Sequence, residues 1–339
     1  MNQNKKIRVL IVDDSILMRE AIKNILEQDI SIEIVGMASD GKEGVQKALV
    51  LKPDVITMDL RMPIMTGFEA IQNIMSGLPI PIVVVSSMDS TVVMKALSIG
   101  AMDFVAISGD IDVIAKDLIS KVKIASRVKA LRRLSVKPYI QKVPKPPRGK
   151  AASKMIAIGV STGGPQSLQE IFSNLPHDFR AGMLVVQHMS KGFIEGLAEW
   201  LNMTSHLHVQ VARAGDIVSP GTIMIAPDDY HIRIDSEGRL TLHENADKAV
   251  LHVPSIGLMM KSVAEAFGED AIGVIMTGMG TDGVEGIRAI KGSGGRTIAQ
   301  DEHTSVVFGM NKAAIDSGSI DEVLPLGGIA KRLVELVKE

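Results

Sequence analysis

Short apolar segments alternate with amphipathic segments along most of the chain, and this alternation constrains the fold more than any other feature. Apolar strands buried on both faces are typical of parallel sheets covered by helices. In the first part of the sequence the pattern predicts five strand–helix pairs, with strands at 7–12, 32–38, 54–58, 82–86 and 104–107 and helices at 15–27, 42–51, 67–75, 91–99 and 111–134. Five such units joined by short loops predict a doubly wound parallel sheet.

An acid-free stretch interrupts the pattern. Residues 127–150 contain many Lys and Arg residues and several prolines, but no Asp or Glu. This composition is typical of an extended, solvated linker, and a basic docking strip for an acidic partner is the alternative. The sequence therefore predicts a first domain at 1–126, a linker at 127–150 and a second domain at 151–339.

The second domain repeats the alternation with one exception. Strands are predicted at 155–161, 183–189, 209–212, 271–276 and 297–299, whereas residues 231–242 alternate with a period of two around a Ser-Glu-Gly turn. That exception indicates a β-hairpin appended to a mainly parallel sheet. Both domains are predicted to be α/β, the second with this added hairpin.

The composition excludes several classes of protein. No apolar run approaches the roughly 20 residues of a membrane span, and the start of the chain lacks a secretory apolar region. The formal net charge of −2 and the aromatic content of 3% argue against nucleic-acid binding. The chain has no cysteine, which excludes disulfides and thiolate chemistry. We expect a cytoplasmic protein that neither enters a membrane nor binds nucleic acid.

A candidate nucleophile lies at the first strand end of the second domain. The motif Gly159-Val160-Ser161-Thr162-Gly163 follows an apolar strand and precedes a predicted helix. A Gly-x-Ser-x-Gly turn between a strand and a helix exposes the serine oxygen, and its small neighbours leave backbone N–H groups accessible. The motif alone is weak, because Gly and Ser are common in turns.

Two other strand ends supply partners for this serine. His188 closes a very apolar strand, and Asp282 stands in a glycine-rich loop where a helix is predicted to begin. Each has an ordinary structural alternative: a hydrogen-bonded core histidine, and a helix N-cap. His231, after another strand end, is the reserve candidate for the base. Ser161, His188 and Asp282 together predict acyl chemistry at one edge of a sheet.

The first domain carries three carboxylates at predicted strand ends. Asp13 and Asp14 follow the first strand, and Asp59 follows the third. Adjacent strands bring these acids together, where they repel one another unless a cation joins them. Hard oxygen ligands with room for water suit Mg²⁺, so the sequence predicts a Mg²⁺ site here and no cofactor in the second domain.

This domain resembles the receiver domain of bacterial two-component response regulators. The resemblance rests on Asp13-Asp14-Ser15, on the segment from Asp54 to Gly67 around Asp59, on Ser86-Ser87, and on Gly100-Ala101-Met102-Asp103-Phe104. It implies phosphorylation of Asp59 by a histidine kinase, with Ser86 and Phe104 as switch residues. The family has Lys-Pro where this chain has Ile107-Ser108. We therefore expect Asp59 to accept a phosphoryl group but its coupling to output to be weakened or altered.

The whole chain resembles the chemotaxis response-regulator methylesterases of the CheB family. In the second domain the resemblance rests on the motifs around Ser161, His188 and Asp282, together with Ile225-Ala226-Pro227, Pro254-Ser255 and Val307-Phe308-Gly309-Met310. One minor departure is Asn311, where the family usually has proline. The resemblance implies hydrolysis of glutamate γ-methyl esters on chemoreceptors, with glutamine deamidation in many members.

The same resemblance implies a role for each site residue. Ser161 would be the nucleophile, His188 the general base and later the acid, and Asp282 the residue that orients the imidazole. The backbone N–H groups of Thr162 and Met279 would bind the oxyanion. The implied partners are methyl-accepting chemoreceptors as substrate and a chemotaxis histidine kinase as phosphodonor. From the two-domain architecture we hypothesise that the unphosphorylated receiver blocks the carboxyl edge of the catalytic sheet.

Three other functions fit parts of the sequence. A serine hydrolase of the same construction could act on another ester or amide. A pseudo-enzyme could use phosphorylation only to control binding. A DNA-binding response regulator would need a basic recognition helix, and the second domain shows α/β alternation without one.

Overall fold

The computed structural model describes residues 6–87, 90–107, 110–128, 151–245 and 252–339. Contacts divide the chain into two compact units, Met1–Lys137 and Pro138–Glu339. The predicted linker lies almost wholly outside the described residues. The described part contains no helix long and apolar enough to cross a membrane.

The first unit is a five-stranded sheet with five helices. All strand pairs are parallel and the strand order is β2-β1-β3-β4-β5. The elements are β1 Ile7–Val12, α1 Ile16–Leu26, β2 Ile32–Ala38, α2 Gly41–Leu51, β3 Val55–Met58, α3 Gly67–Gly77, β4 Ile82–Ser86, α4 Ser90–Ser98, β5 Asp103–Ala106 and α5 Ile111–Ala125. The predicted doubly wound (βα)5 fold is confirmed.

Local sequence explains where these elements begin and end. Every residue of β3 and β4 is buried, as apolar strands between two helical layers must be. Helix α3 begins at a capping box, in which Thr66 and Glu69 satisfy each other's backbone N–H groups. Helix α5 ends at Ala125, so its predicted continuation is wrong for residues 126–128, while 129–134 lie outside the described residues.

The second unit is a seven-stranded, wholly parallel sheet with helices and a separate hairpin. The strand order is β14-β13-β12-β6-β7-β9-β8. The elements are β6 Met155–Val160, α6 Gly164–Ser173, β7 Gly182–Gln187, α7 Ile194–Thr204, β8 His208–Val211, β9 Thr222–Ile225, β10 His231–Ile234, β11 Leu240–His243, α8 Ile256–Phe267, β12 Ala271–Ile275, α9 Val284–Gly292, β13 Arg296–Gln300, α10 Met310–Asp316, β14 Glu322–Leu324 and α11 Leu326–Lys338.

Two features of this sheet differ from the prediction. The strands β9 and β14, of four and three residues, were not predicted. The hairpin is present, but β10 and β11 form their own antiparallel sheet rather than extending the large one. Within the described residues the hairpin packs mainly through its apolar face, where Ile232, Ile234 and Leu240 join the core that also contains α8.

Candidate active site

Ser161 lies directly after β6, between two neighbouring strands of the large sheet. Its N–H donates to Thr277 O at 3.0 Å, and its carbonyl accepts from Gly164 N at 2.8 Å and from Gln187 Nε2 at 2.9 Å. These three bonds fix the main chain of the turn from both sides of β6. The hydroxyl makes no hydrogen bond within the described residues.

The turn needs glycine at two successive positions. Gly163 has φ +77°, a left-handed conformation that favours glycine, whereas Ser161 does not have positive φ. A Cβ on Gly164 would come within 1.9 Å of the Gln187 side-chain oxygen. The helix α6 can therefore begin immediately behind the serine only because these two residues carry no side chain.

His188 and Asp282 come from the strands on the two sides of β6. Strand β7 pairs with β6 up to Val160 and Gln187, and His188 N donates to Val160 O at 3.0 Å. Strand β12 lies on the other side of β6, and Asp282 follows it in the loop before α9. His188 Nε2 lies 3.1 Å from Asp282 Oδ2, and both side chains are largely buried. The predicted histidine and aspartate are thus in contact next to the predicted nucleophile.

The orientation of the imidazole determines which nitrogen can act on the serine. Nε2 faces Asp282, at a distance that suits a hydrogen bond but along a line oblique to the ring N–H direction. The other ring nitrogen, Nδ1, does not face Asp282. In structures without substrate, catalytic hydrogen bonds are commonly long or absent and tighten only in the complex.

Asp282 is held by the amino-terminal end of α8. Its carboxylate accepts from Ile256 N at 2.8 Å, from Gly257 N at 3.0 Å and from Ser255 Oγ at 3.1 Å. Burial alone would raise the pKa of Asp282, but the adjacent His188 ring and the hydrogen bonds from Gly257 N and Ile256 N outweigh it and hold the pKa at about 2. Asp282 caps a helix, as the structural alternative proposed, but the helix is α8 and not α9.

Two backbone N–H groups beside the serine have no protein partner. The N–H groups of Thr162 and Met279 have no acceptor in the described part of the chain, whereas Gly278 N donates to Val307 O at 3.0 Å. Unpaired N–H groups at a strand–helix turn are the usual donors to an oxyanion. Thr162 and Met279 remain the predicted oxyanion residues on this basis.

The segment that precedes α8 brings two further residues to the site that the sequence analysis did not assign. Ser255 donates to Asp282 and also caps α8 by accepting from Leu258 N. His252 stacks on His188, with ring centroids 4.5 Å apart and an interplanar angle of 22°. Two sequence signals marked Ser255: the motif Pro254-Ser255 of the family resemblance, and its place before an apolar helix, which is typical of an N-cap. No signal marked His252.

His231, the reserve candidate for the base, has a supporting position instead. It is buried, and its Nδ1 accepts from Ser255 N at 3.1 Å. A ring nitrogen that accepts a backbone hydrogen bond in the interior is not free to take a proton from a nucleophile. The structure therefore favours His188 over His231 as the base.

The three acids of the first unit lie at the ends of the adjacent strands β1 and β3. Asp59 N donates to Val12 O at 2.9 Å, which aligns the two strand ends. Burial, together with the charges of Asp59 and Asp14, raises the pKa of Asp13 to about 6, against a hydrogen bond from Ser15 N. Burial also raises the pKa of Asp59, with Asp14 as a further contribution.

This donor set fits a hard divalent cation. Each acid raises the cost of ionising its neighbours, and a cation would relieve that repulsion. Among the described residues, however, no three His, Cys, Asp or Glu side chains converge to form a ready-made metal cage. Mg²⁺ would therefore be held by part of this set together with water, as is usual for this ion.

The predicted switch residues occupy distinct environments. Ser86 hydrogen-bonds to the Asp59 carboxylate. Phe104 is buried, and Lys121 Nζ lies 5.0 Å from its ring centroid while pairing with Asp117 at 3.0 Å. Ile107, at the position where receivers have lysine, packs its side chain against the apolar core of the first unit. An apolar contact thus replaces the expected cation, and Ser108 lies outside the described residues.

Comparison with known families identifies both units. The CheB methylesterase family model matches residues 156–333, and the response regulator receiver domain model matches residues 9–118. The first of these matches spans more than half of the chain. The chain belongs to the CheB methylesterase family. As a member it is a carboxylic ester hydrolase that carries a receiver domain.

Curated relatives share this arrangement over nearly the full length. A protein-glutamate methylesterase/protein-glutamine glutaminase of Pyrococcus horikoshii is 40% identical and covers 98% of this chain and 94% of its own length. One of Geobacter sulfurreducens is 39% identical and covers 99% of both. The crystal structure of the CheB methylesterase catalytic domain of Thermotoga maritima is 43% identical over 54% of this chain and 98% of its own, with a TM-score of 0.52.

Asn311, one of the positions where the resemblance predicts proline, lies in the second unit. It is fully buried in α10, and its Nδ2 donates to Gln300 O at 2.9 Å and to Ser305 Oγ at 2.8 Å. Proline could make neither bond. In this member of the family, Asn311 ties the end of β13 to the following loop, whose Val306 packs against Gly163 of the serine turn.

Proposed function

We propose that the chain hydrolyses glutamate γ-methyl esters on chemoreceptors, releasing methanol, and that it also deamidates receptor glutamines. The observation that carries this proposal is the 3.1 Å contact of His188 with Asp282 beside Ser161, at three neighbouring strand ends. The names of the curated relatives supply the substrate class, since they act as protein-glutamate methylesterases and protein-glutamine glutaminases. The partners implied by the family resemblance, chemoreceptors as substrate and a chemotaxis histidine kinase as phosphodonor, imply that the chain acts in the cytoplasm.

In the first half of the reaction, Ser161 Oγ attacks the carbonyl carbon of the ester. His188 Nδ1 takes the hydroxyl proton, and the ionised Asp282 stabilises the resulting imidazolium at Nε2. The negative charge that develops on the carbonyl oxygen is bound by the N–H groups of Thr162 and Met279. Collapse of the tetrahedral intermediate breaks the C–O bond, and His188 gives its proton to the departing methoxide.

In the second half, water hydrolyses the acyl-enzyme. His188 takes a proton from the water as the water oxygen attacks the acyl carbon, and then returns that proton to Ser161 Oγ. The products are a glutamate side chain and the free enzyme. A receptor glutamine follows the same steps, except that His188 protonates the amide nitrogen as the C–N bond breaks, so that ammonia leaves. The low pKa of Asp282 keeps its charge in place throughout at physiological pH.

The direct test is methanol release from methyl-labelled chemoreceptor membranes, with hydrolysis of a small aryl ester measured in parallel. We expect the full chain to release methanol from the receptors. Turnover of the aryl ester without release from receptors would favour a hydrolase with another substrate. Inactivity on both would favour a pseudo-enzyme that acts by binding.

We propose that the receiver controls this activity through Asp59, with residues 1–126 as the receiver, 127–150 as the linker and 151–339 as the catalytic domain. Asp13, Asp14 and Asp59 would hold Mg²⁺, which supplies charge neutralisation for transfer of a phosphoryl group. The chain's own contributions are the Asp59 carboxylate as acceptor and the Ser86 hydroxyl beside it. Phosphorylation can relieve an inhibitory receiver only to the extent that it favours the uninhibited state.

The receiver's effect can be measured with a small acyl phosphate as phosphodonor. We expect residues 151–339 alone to release methanol about 5-fold faster or more than the unphosphorylated full chain, since allosteric couplings of this kind are worth roughly 5- to 150-fold. The phosphodonor should stimulate the full chain, and Asp59→Asn should remove that stimulation.

Ile107→Lys tests whether the missing lysine weakens the coupling. A cation at this position could pair with a phosphoryl oxygen, so we expect the phosphodonor to stimulate this variant more than the natural chain. Equal stimulation of the two proteins would mean that the receiver transmits its signal fully without the lysine.

A further inference from the structure

His252 covers one face of the imidazole of His188. The ring centroids are 4.5 Å apart and the planes are inclined by 22°, which is a stacked arrangement. The His188 side chain is only 13% exposed, whereas His252 is exposed. The His188 ring therefore has two neighbours: Asp282 contacts its edge at Nε2, and His252 stacks on its face.

The contact with Asp282 does not by itself fix the plane of the His188 ring. The torsion that turns an imidazole about its Cβ–Cγ bond has broad, roughly two-fold minima. A single oblique contact at Nε2 leaves that rotation open, yet the rotation decides where Nδ1 points. A ring stacked on the face restricts it.

His252 is itself attached to the element that holds Asp282. Three residues further along, Ser255 donates its N–H to His231 Nδ1 and its hydroxyl to Asp282 Oδ1, each at 3.1 Å. Helix α8 begins at Ile256, whose N–H also binds Asp282. The segment 252–257 thus supplies the ring that stacks on His188 and also holds the Asp282 carboxylate that contacts the edge of His188.

The charges around His252 keep it from competing for the catalytic proton. Burial and the neighbouring His188 lower the pKa of His252, whereas Asp282 raises it. Asp282 lies in direct contact with His188, so the imidazolium that forms during the reaction is best placed on His188. A neutral ring stacked on that cation is also electrostatically favourable.

We propose, on the basis of the methylesterase function above, that His252 is a positioning residue that holds the ring of His188 with Nδ1 toward Ser161. The role depends on the presence of a flat ring at position 252 and not on its nitrogen atoms. Another aromatic ring of similar size should therefore perform it.

The test measures the reactivity of Ser161 in the full chain with a fluorophosphonate, independently of any ester substrate. Ser161 Oγ attacks phosphorus, fluoride leaves and His188 takes the hydroxyl proton. We expect His252→Ala to slow this labelling about 10-fold, less than the ~100-fold that a misplacement of ~1 Å costs. His252→Phe should restore the rate to within about 3-fold, and His243→Ala, which removes an exposed histidine of β11, should leave it unchanged.

Methanol release from methylated receptors separates this proposal from the proposed function. We expect His252→Ala to lower kcat by the same factor with KM nearly unchanged, and thermal melting to show that the fold is retained. Labelling of His252→Ala at the natural rate, or an equal loss in the Ala and Phe variants, would overturn the positioning role. If the natural chain labels rapidly but releases no methanol, the methylesterase function fails while the comparison of labelling rates still decides the role of His252.

Discussion

Replacing Ser161 by alanine is expected to lower methanol release by about 10⁴-fold or more, the usual cost of removing a catalytic nucleophile. The hydroxyl has no hydrogen bond within the described residues, and the turn is fixed by main-chain bonds and Gln187. The fold should therefore survive, and the loss should fall on kcat. Methanol release from labelled receptor membranes, with thermal melting of the same samples, measures both quantities.

Ser173→Ala is the matched control for this substitution. Ser173 is the last residue of the helix that begins behind Ser161, and its hydroxyl donates only to Glu170 O. The Ser173→Ala variant should release methanol at the natural rate. Residual activity of Ser161→Ala within about 10-fold of the natural chain would show that another group is the nucleophile.

Replacing Asp282 by asparagine should cost about 10⁴-fold in kcat while leaving Ser161 in place. Asparagine has no negative charge to stabilise the imidazolium, and its amide can donate to Nε2 and so favour the tautomer whose Nδ1 carries a proton. His188 would then present N–H instead of a lone pair to the serine. Release of methanol at pH 7 to 9 measures the effect, and recovery of the rate at high pH would contradict this explanation.

The same substitution should reduce stability in a pH-dependent way. The pKa of Asp282 in the folded chain, about 2, lies below its ordinary value of 3.8, so its ionised form stabilises the fold. At roughly 1.4 kcal/mol per pKa unit this contribution is about 2 kcal/mol. It is fully present well above pH 3.8 and is lost as the pH falls through about 2.

Chemical denaturation of the natural chain and of Asp282→Asn, from pH 7 down to pH 3, should show the difference shrinking with acid. Asp235→Asn is the control, because Asp235 also accepts from two backbone N–H groups but forms no ion pair with a histidine within the described residues. A difference that stays constant with pH would mean that Asp282 stabilises α8 through hydrogen-bond geometry alone and not through its charge.

The ends of the strands could be predicted from the sequence because each buried parallel strand is a continuous apolar run. A polar residue after the run shows where the strand ends. Ser161, His188 and Asp282 each follow such a run, and the sheet order β12-β6-β7 brings them together. The short strands β9 and β14 were missed although the similarly short β3 and β5 were predicted. A short apolar run does not by itself distinguish a strand from a segment of a buried helix.

The supporting residues could not be predicted because their partners are remote in sequence. His252 stacks on a residue more than sixty positions earlier, and nothing in its immediate neighbourhood marks that contact. Asp282 was expected at the start of its own helix, whereas the residue that caps α9 is Gly283, and the N–H groups that Asp282 accepts belong to α8. Such contacts depend on how helices pack over the sheet, which local periodicity does not encode.

The attachment of Asp282 to the first turn of α8 has a consequence for how the enzyme can change by mutation. The carboxylate that orients His188 is held by Ile256, Gly257 and Ser255, and the body of α8 is buried in the core of the second unit. A substitution in that core that displaces α8 by a fraction of an ångström also displaces the carboxylate that contacts His188, the proposed general base. In a genetic screen for loss of activity, substitutions in the apolar face of α8 are therefore expected to appear alongside substitutions of the proposed triad. Homologues with different core residues in α8 must keep the first turn of the helix in the same position.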